Sequence, residues 1–438
     1  MQYKFQLYKG SDKQLILNGD SLNSIIFFSI PIFLMMWTTG IWLCFIGFLV
    51  LYYQTYGLTL GPVIRKYYLS SLYLCILMPY IAFFLLSLVS VLFLKSPGKS
   101  ITDACIFMVW LAISPIIAML KLRSRAMGLG CLSAVLSAFI LTVIQFYIFD
   151  ISRPYGLYGV GPTGSGAVKF GDMAILIGTF SFLLLSDDNN RKIKILGVVG
   201  MLIGIIIAAY SQTRGGVLAV LLCALIWFFF FSRKMKISKK KVLIFAGGVF
   251  FILFLLNGIM RDHMYTAIQK TLQEAQLSTH GRSDTSFGIR LQLWQSAVCL
   301  FEEHPFMGVG LNNFKRSISA LAEQNLISEI AASYIHAHNE YLCSLATGGI
   351  TGFIVTSLLF FLPLFIFKRK YSTSIWARYG FWGVCLMSTF ALTDCMFDRQ
   401  MTVLALVITV SISLAGIISQ AREGPVSAHE NSLDDKTF

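Results

Sequence analysis

Apolar stretches long enough to cross a lipid bilayer recur along most of the chain, and they restrict its fold more than any other feature. A membrane-spanning helix needs about 20 mainly apolar residues, and such runs follow one another from residue 22 to residue 419. Of the 438 residues, 56% are hydrophobic and only 13% are charged, too few charges for the surface of a soluble domain of this length. The sequence therefore predicts an all-α protein that crosses a membrane many times.

Charged breaks between the apolar runs predict about twelve transmembrane helices. The runs lie at roughly 22–38, 40–56, 70–94, 102–120, 127–148, 171–186, 194–210, 215–231, 242–259, 338–367, 378–396 and 400–419. The predicted parts are helices one to nine within 1–259, a long hydrophilic loop with interfacial helices at 260–337, helices ten to twelve at 338–419, and a polar, disordered tail at 420–438.

The distribution of positive charge predicts the orientation of these helices. With a cytoplasmic N-terminus, inside segments hold 23 of the 35 Lys and Arg residues, whereas the short outside loops hold six and the long loop holds six. Cytoplasmic loops carry an excess of Lys and Arg, and long loops cross a membrane largely regardless of charge. Both termini are therefore predicted to be cytoplasmic and the long loop to lie outside. The net charge of +14 reflects this topology and contacts with anionic membrane lipids, not nucleic-acid binding.

Motifs for metals and cofactors do not stand out in the sequence. The nine cysteines lie mostly within apolar runs, and none of them forms a CxxC pair. No phosphate-binding glycine loop, nucleotide fingerprint or metal-ligand spacing occurs in its required context. We therefore expect neither a cofactor nor a metal.

Two arginines at predicted outer ends of helices are candidate anion-binding residues. Arg214 lies in the turn SQTRGG at residues 211–216, where a helix N-terminus adds positive charge and two glycines let a ligand approach the backbone. Arg290 begins a predicted amphipathic helix in the long loop, with Trp294 as a membrane-interface anchor. The alternatives are an arginine that caps the turn and an ordinary interfacial arginine.

His338 is the candidate general base. With Asn339 it falls at the start of a predicted helix, beside Tyr341, and a helix N-terminus favours a neutral imidazole. The alternative is a structural histidine, and His336 is the nearest competitor for the role. Three glycines that follow (Gly348, Gly349 and Gly352) predict a face for close helix contact.

Asp394 is the remaining candidate, at the predicted outer end of the eleventh helix. Its carboxylate falls almost within an apolar run, so it needs a partner, and an arginine or His338 would serve. Asp398 and Arg399 follow directly and are expected to pair in a solvated turn.

These residues resemble the O-antigen ligase and polymerase family of bacterial envelope-glycan assembly. The resemblance is carried by the long loop, the arginine turn, the loop pattern R…W…HPxxGxGxxNF, and His-Asn-x9-Gly-x-x-Gly at 338–352. It covers roughly residues 171–400, and the first five spans match in hydropathy only.

The resemblance implies a metal-independent, inverting glycosyltransferase of a GT-C-like fold at the periplasmic face of the bacterial inner membrane. The implied donor is O-antigen on undecaprenyl pyrophosphate, and the implied acceptor is the lipid A–core oligosaccharide. His338 would be the general base, Arg214 and Arg290 would hold the pyrophosphate, and Asp394, Asn339 and Tyr341 would support them.

Three other functions remain open on the sequence. Within the family, the chain resembles an O-antigen polymerase or a protein O-oligosaccharyltransferase. A transporter or flippase shares the hydropathy pattern, but it should place charged residues or broken helices near the middle of the bilayer. The notable polar residues here gather at one predicted face instead.

Overall fold

The computed structural model describes residues 19–57, 61, 67–68, 70–157, 166–231 and 286–422. The predicted helix at 242–259, the first part of the predicted loop at 260–285 and the predicted tail from residue 423 lie outside the described residues.

All regular elements within the described ranges are helical. The α-helices are α1 (Gly19–Met36), α2 (Ile41–Tyr56), α3 (Ser71–Leu94), α4 (Lys99–Met119), α5 (Ser124–Val143), α6 (Gly166–Leu185), α7 (Arg191–Tyr210), α8 (Arg214–Phe231), α9 (Ser286–Glu303), α10 (Phe314–Glu323), α11 (Glu329–Ala332), α12 (Glu340–Lys370), α13 (Ile375–Phe390) and α14 (Gln400–Arg422).

Nine of the described helices are long and apolar enough to cross a membrane, namely α1 to α7, α12 and α14. The helices α8, of 18 residues, and α13, of 16 residues, occupy two further predicted positions. The prediction of an all-helical protein with many apolar spans is therefore confirmed for the described part of the chain. The count of twelve stays a prediction.

The helix α14 lies at the centre of the bundle, where every residue from 401 to 417 is buried. Two of its hydroxyl groups bond to their own helix: Thr409 Oγ1 donates to Ala405 O and Ser413 Oγ donates to Thr409 O, each at 2.6 Å. Gly380 of α13 brings the two helices together, because a Cβ atom there would lie 2.3 Å from Ser413 Oγ. Small residues permit this close approach where lipid offers no hydrophobic driving force.

Polar contacts join the ends of neighbouring helices at both ends of the bundle. At the end predicted to be cytoplasmic, Arg125 Nε lies 3.4 Å from Asp188 Oδ2. At the other end, Lys99 Nζ donates to Phe397 O at 2.6 Å. The candidate site described below lies at this second end, which the charge pattern predicts to face outside.

The helix α12 is broken at Gly349, which has φ 61° and ψ −157°, and the sequence did not predict this break. The loop segment 305–310 fills the gap by main-chain hydrogen bonding, so the amides and carbonyls freed by the break have partners. The four bonds are Val309 N to Ala346 O (3.1 Å), Gly310 N to Thr347 O (2.9 Å), Ile350 N to Pro305 O (2.8 Å) and Thr351 N to Phe306 O (3.4 Å).

Two glycines permit this main-chain seam, and their role differs from the predicted helix–helix contact. A Cβ atom at Gly308 would lie 2.4 Å from Thr347 C, and one at Gly349 would lie 2.4 Å from Phe306 C. Gly349 therefore packs against the backbone of a loop. The same backbone provides hydrogen-bond partners for the amides and carbonyls that the break in α12 leaves unpaired.

The helix α9 packs against the segment that leads into α12. Its buried side chains Leu293 and Ala297 form a second small core with Phe314. The Trp294 indole, predicted to anchor the helix in the membrane interface, is half-buried and donates to Ala337 O at 3.0 Å. This bond fixes the residue directly before His338.

We expect Gly349→Ala to destabilise the protein by about 2 kcal/mol or more, because it combines a left-handed backbone with a steric clash. Gly348→Ala is the matched control, since its Cβ atom would meet nothing nearer than 3.5 Å. Thermal unfolding of the purified protein in detergent measures both. Equal unfolding temperatures for the two variants would contradict the seam.

Candidate functional site

The segment 391–399, between α13 and α14, brings the candidate residues together. It is tied to the start of α12, because Glu340 N donates to Ala391 O at 2.8 Å and Phe397 N donates to Glu340 Oε2 at 3.1 Å. The segment therefore carries Asp394 past the N-terminal end of α12.

A buried ion pair fixes this segment to α6. Lys169 Nζ lies 2.7 Å from Asp394 Oδ2, and the side chains are 1% and 2% exposed. Lys169 also donates to Cys395 O. The predicted span at 171–186 leaves Lys169 in the loop before it, but α6 begins at Gly166, so this lysine lies in the first turn of the helix. The partner that Asp394 needs is therefore Lys169, which the predicted start of the span at residue 171 had left outside the helix.

Asp394 remains ionised in this setting. Burial by itself raises the pKa of the Asp394 carboxyl, but the Lys169 ammonium and the hydrogen bond with His338 act in the opposite direction and outweigh it. The pKa therefore lies below its usual range, and Asp394 presents a fixed negative charge to its neighbours.

His338 is the second partner of Asp394. Its Nδ1 atom lies 3.4 Å from Asp394 Oδ1, and its side chain is 18% exposed. Within the described residues, Nε2 has no hydrogen-bond partner. A carboxylate at Nδ1 favours the tautomer that carries the proton there, which leaves the Nε2 lone pair free to accept a proton.

The backbone of His338 adopts the left-handed conformation, with φ 50°. This is uncommon for a residue with a side chain and is found where the surroundings hold it in place. The neighbours do so here: His338 N donates to His336 Nδ1 at 3.3 Å, and the Tyr334 ring lies 5.4 Å from the imidazole.

Asn339 and Tyr341 position α12. The Asn339 side chain caps the helix, accepting from Tyr341 N at 3.0 Å and from Leu342 N at 3.1 Å. The Tyr341 hydroxyl donates to Ser388 O at 3.1 Å, which ties α12 to α13. No contact of Tyr341 with His338 is found in the described part of the chain.

His336, the competing histidine, is hydrogen-bonded at one ring nitrogen. Its Nδ1 accepts from His338 N, and its Nε2 lies 3.7 Å from Asp398 Oδ2, beyond hydrogen-bond distance. Burial, together with the positive charge of Lys169 and the neighbouring His338, lowers the pKa of His336 to about 4, although the two aspartates oppose this shift. The His336 side chain is 8% exposed and that of His338 is 18% exposed, so the geometry favours His338 as the base that a substrate can reach.

Arg290 and the glycine that follows Arg214 both lie against Thr393, the residue before Asp394. Arg290 Nη1 donates to Thr393 O at 3.3 Å. Gly215, next to Arg214, packs on the threonine side chain, because a Cβ atom there would lie 2.2 Å from Thr393 Oγ1. The Arg214 side chain is exposed and has no hydrogen bond to any described residue. The arginine turn, Arg290 and His338 therefore meet at two consecutive residues.

A third arginine, which the sequence analysis did not select, lies beside Arg214. The loop that carries Arg153 is held to the arginine turn by Gln212 Nε2, which donates to Ser152 O at 3.2 Å. Burial and the nearby charge of Arg214 lower the pKa of the Arg153 guanidinium. Its Nε is buried without a hydrogen-bond partner in the described residues. Two unpaired guanidinium groups side by side are suited to an anion.

Asp172 is a further residue that the sequence did not suggest. It is 1% exposed, and neither carboxylate oxygen has a hydrogen-bond partner among the described residues. It lies against the first turn of α8, where a Cβ atom at Gly216 would be 2.6 Å from Asp172 Oδ1.

Three side chains also approach one another as metal ligands do. His336, His338 and Asp394 each offer one ligand atom, and these atoms lie within 4.8 Å of one another. The Lys169 ammonium, 2.7 Å from the same carboxylate, repels a divalent cation there. Lys169 therefore supplies to Asp394 the positive charge that a bound metal would otherwise supply.

The helices and the ionic cluster at one end of them define a multi-pass membrane protein with a charged site at the ends of its spans. Residues 199–357 match the family model described as O-Antigen ligase, and this stretch contains Arg214, Arg290 and His338. The match confirms the resemblance to the O-antigen ligase family.

A relative in Haemophilus influenzae, described as an uncharacterized protein, is 22% identical over 215 residues. The matched stretch covers 47% of this chain and 52% of the relative. The chain thus spans about half the length of the curated relative that it matches.

We expect Lys169→Met to destabilise the protein by about 3–5 kcal/mol, because it leaves a buried carboxylate unpaired. The control is Arg378→Met, which breaks the partly exposed pair with Asp187 and should cost at most about 1 kcal/mol. Adding Asp394→Asn to Lys169→Met should recover part of the loss, because it removes the unpaired charge. Unfolding in detergent measures all three, and additive effects in the double variant would contradict the pair.

Proposed function

We propose that this protein transfers a preassembled O-antigen glycan from undecaprenyl pyrophosphate to a sugar hydroxyl of the lipid A–core oligosaccharide. The observation that carries the proposal is the meeting of His338 and Arg290 at the adjoining residues Thr393 and Asp394, with Nε2 of His338 unbonded among the described residues. The family match over residues 199–357 supports the same class of reaction.

The proposed reaction is a single displacement. The acceptor oxygen forms a bond to the anomeric carbon of the donor sugar, and the bond from that carbon to the pyrophosphate oxygen breaks. His338 Nε2 takes the proton of the acceptor hydroxyl, and Asp394 stabilises the imidazolium that results. The configuration at the anomeric carbon is inverted, because only one displacement occurs.

The arginines are proposed to stabilise the leaving group. Pyrophosphate departs with the electron pair of the broken bond, and guanidinium groups bind phosphate oxygens with two parallel hydrogen bonds. Arg290 is half-buried and donates to Thr393 O, and the glycine after Arg214 packs on the same threonine, so we propose that both arginines face the charge that develops. A donor that carries its own leaving group requires no nucleotide and no cofactor.

The proposed setting is the periplasmic face of the inner membrane, with twelve helices in a GT-C-like fold and both termini in the cytoplasm. Both substrates are lipid-anchored, so the site should open sideways to the bilayer, with the loop 260–337 as its lid. The charge asymmetry of the loops supports this orientation.

The alternatives within the family differ in acceptor rather than in chemistry. A polymerase would use a second lipid-linked repeat unit, and a protein O-oligosaccharyltransferase would use a side-chain hydroxyl of a protein. A transporter is less well supported, because the buried ion pair of Lys169 and Asp394 lies at one end of the spans. The break in α12 at Gly349 is a feature that a transporter would share.

We expect His338→Ala and Arg214→Ala each to reduce transfer by about 100-fold or more while the protein stays in the membrane, because a base and an anion-binding cation are lost. The assay is lipopolysaccharide gel analysis of complemented null cells, with the undecaprenyl-linked pool measured alongside. His304→Ala and Arg316→Ala, both exposed, are the matched controls.

The outcome also distinguishes the alternatives. Long glycan that accumulates on undecaprenyl pyrophosphate in the variants supports the ligase, whereas loss of all long glycan supports a polymerase. A normal ladder of long glycans with His338→Ala would show that His338 is not the base.

Because Lys169 already neutralises Asp394, we expect transfer by the purified protein to be unchanged in an excess of EDTA. The measurement is the rate with a purified lipid-linked donor before and after chelation, with Mg²⁺ added back. A rate that falls in chelator and recovers with Mg²⁺ would contradict the metal-independent mechanism.

A further inference from the structure

A cavity of about 80 Å³ adjoins His336 on the side away from the arginines. It lies between α3, α4, the start of α12 and the segment 391–399. A volume of this size holds several water-sized groups, which is comparable with the hydroxyl-bearing edge of one sugar ring.

The polar lining of the cavity is acidic. Asp103 of α4, Glu340 of α12 and Asp398 contribute carboxylates. The nearest described cation to Asp103 is Lys99, whose Nζ lies 3.9 Å from Asp103 Oδ2. Acidic groups alone do not define a ligand, but they disfavour a phosphate and accept hydrogen bonds from hydroxyl groups.

A second, independent feature indicates a missing polar partner in this cavity. Ser100 lines it and is 2% exposed, and its Oγ atom has no hydrogen-bond partner among the described residues. Buried hydroxyl groups are normally hydrogen-bonded, so an unpaired one at a cavity wall points to a group that occupies the cavity.

The apolar lining suits one face of a sugar ring. Phe83 and Phe397 both line the cavity, and their ring centroids lie 5.7 Å apart. Aromatic rings beside carboxylates and a hydroxyl present apolar surface and hydrogen-bonding groups together. A neutral pyranose carries apolar C–H faces and a rim of hydroxyl groups, which matches this combination.

We propose that this cavity binds a sugar of the glycan acceptor, with Asp103 and Glu340 accepting hydrogen bonds from its hydroxyls and Ser100 bonding to its rim. The inference rests on the proposed transferase function. His336, which also lines the cavity, has its ring centroid 4.6 Å from that of His338. A sugar held there lies one side chain away from the general base.

The placement separates the two substrates by charge. Arg214, Arg290 and Arg153 lie toward Thr393 and the arginine turn, whereas the carboxylates lie toward α4. The arginines attract a pyrophosphate, whereas Asp103 and Asp398 of the cavity are paired with Lys99 (3.9 Å) and Arg399 (3.2 Å) and offer hydrogen-bond acceptors to a neutral ligand. This assigns the acceptor to a cavity that α3 and α4, which lie outside the family match, share with the start of α12, which lies inside it.

The test is steady-state transfer by the full-length protein in lipid nanodiscs, with undecaprenyl-pyrophosphate glycan as donor and O-antigen-free lipopolysaccharide as acceptor. We expect Asp103→Asn to raise the acceptor KM about tenfold, with the donor KM unchanged and kcat within about twofold of wild type. Glu323→Gln, an exposed carboxylate at the end of α10, is the matched control and should change neither KM.

Ser100→Ala is the second variant. It removes a hydroxyl that bonds to no described residue, so it should fold normally and raise only the acceptor KM, by a few fold. An acceptor KM equal to wild type in Asp103→Asn or, where that variant does not fold, in Ser100→Ala would overturn the proposal.

Binding of the deacylated core oligosaccharide, measured by calorimetry without donor, separates this proposal from the proposed function. Weaker binding to Asp103→Asn than to Glu323→Gln supports the cavity, and equal binding overturns it. Absence of transfer by the wild-type protein, with oligosaccharide binding intact and sensitive to Asp103, would instead contradict the proposed reaction and retain the sugar site.

Discussion

The buried ion pair between Lys169 and Asp394 is the interaction on which the organisation of the site depends. Two charges removed from water are tolerated only with close partners and additional hydrogen bonds, so each restricts the other to a narrow range of positions. The pair joins the first turn of α6 to the segment before α14, although the two residues are 225 positions apart. Asp394 then orients His338, and Thr393 beside it receives Arg290. The histidine and the arginines are therefore held by a shared anchor and need not be positioned independently.

The site that results has opposite electrostatic character on its two sides. Guanidinium groups lie on one side of His338, and carboxylates line a cavity on the other. The imidazole stands between these regions with one nitrogen fixed and the other open. Such an arrangement can orient two substrates that reach it from the same membrane, because their polar groups differ in charge even where their lipid anchors are alike. In the proposed reaction, the proton of an acceptor hydroxyl on the acidic side passes to the imidazole beside it.

Much of the helical framework could be predicted from the sequence, because apolar runs of about 20 residues have few structural alternatives in a bilayer. The residues that complete the site could not. Lys169 is a lysine before an apolar run, which normally marks the end of a span, and only its distant partner makes it part of a helix. Gly349 was expected to serve helix packing, and nothing local shows that the helix breaks there. The predicted topology placed Arg214, Arg290 and His338 at the same face of the membrane, but a topology does not give the distances between them. Arg153 and the cavity at Ser100 lie where the family motifs do not reach.

The seam between the loop segment 305–310 and the break in α12 has an evolutionary consequence. Four main-chain hydrogen bonds clamp the chain where it leaves the seam at Gly310 and where it returns at Ala346. The seam therefore closes the segment 311–345, which contains α10 and α11, at its base. The helices α10 and α11 in this segment pack on α9 through Phe314, Ile318 and Ala331, so only its residues outside that core can change in sequence or number without disturbing the histidine near its end. The seam itself consists of backbone and two glycines, so it requires that those two positions stay without side chains.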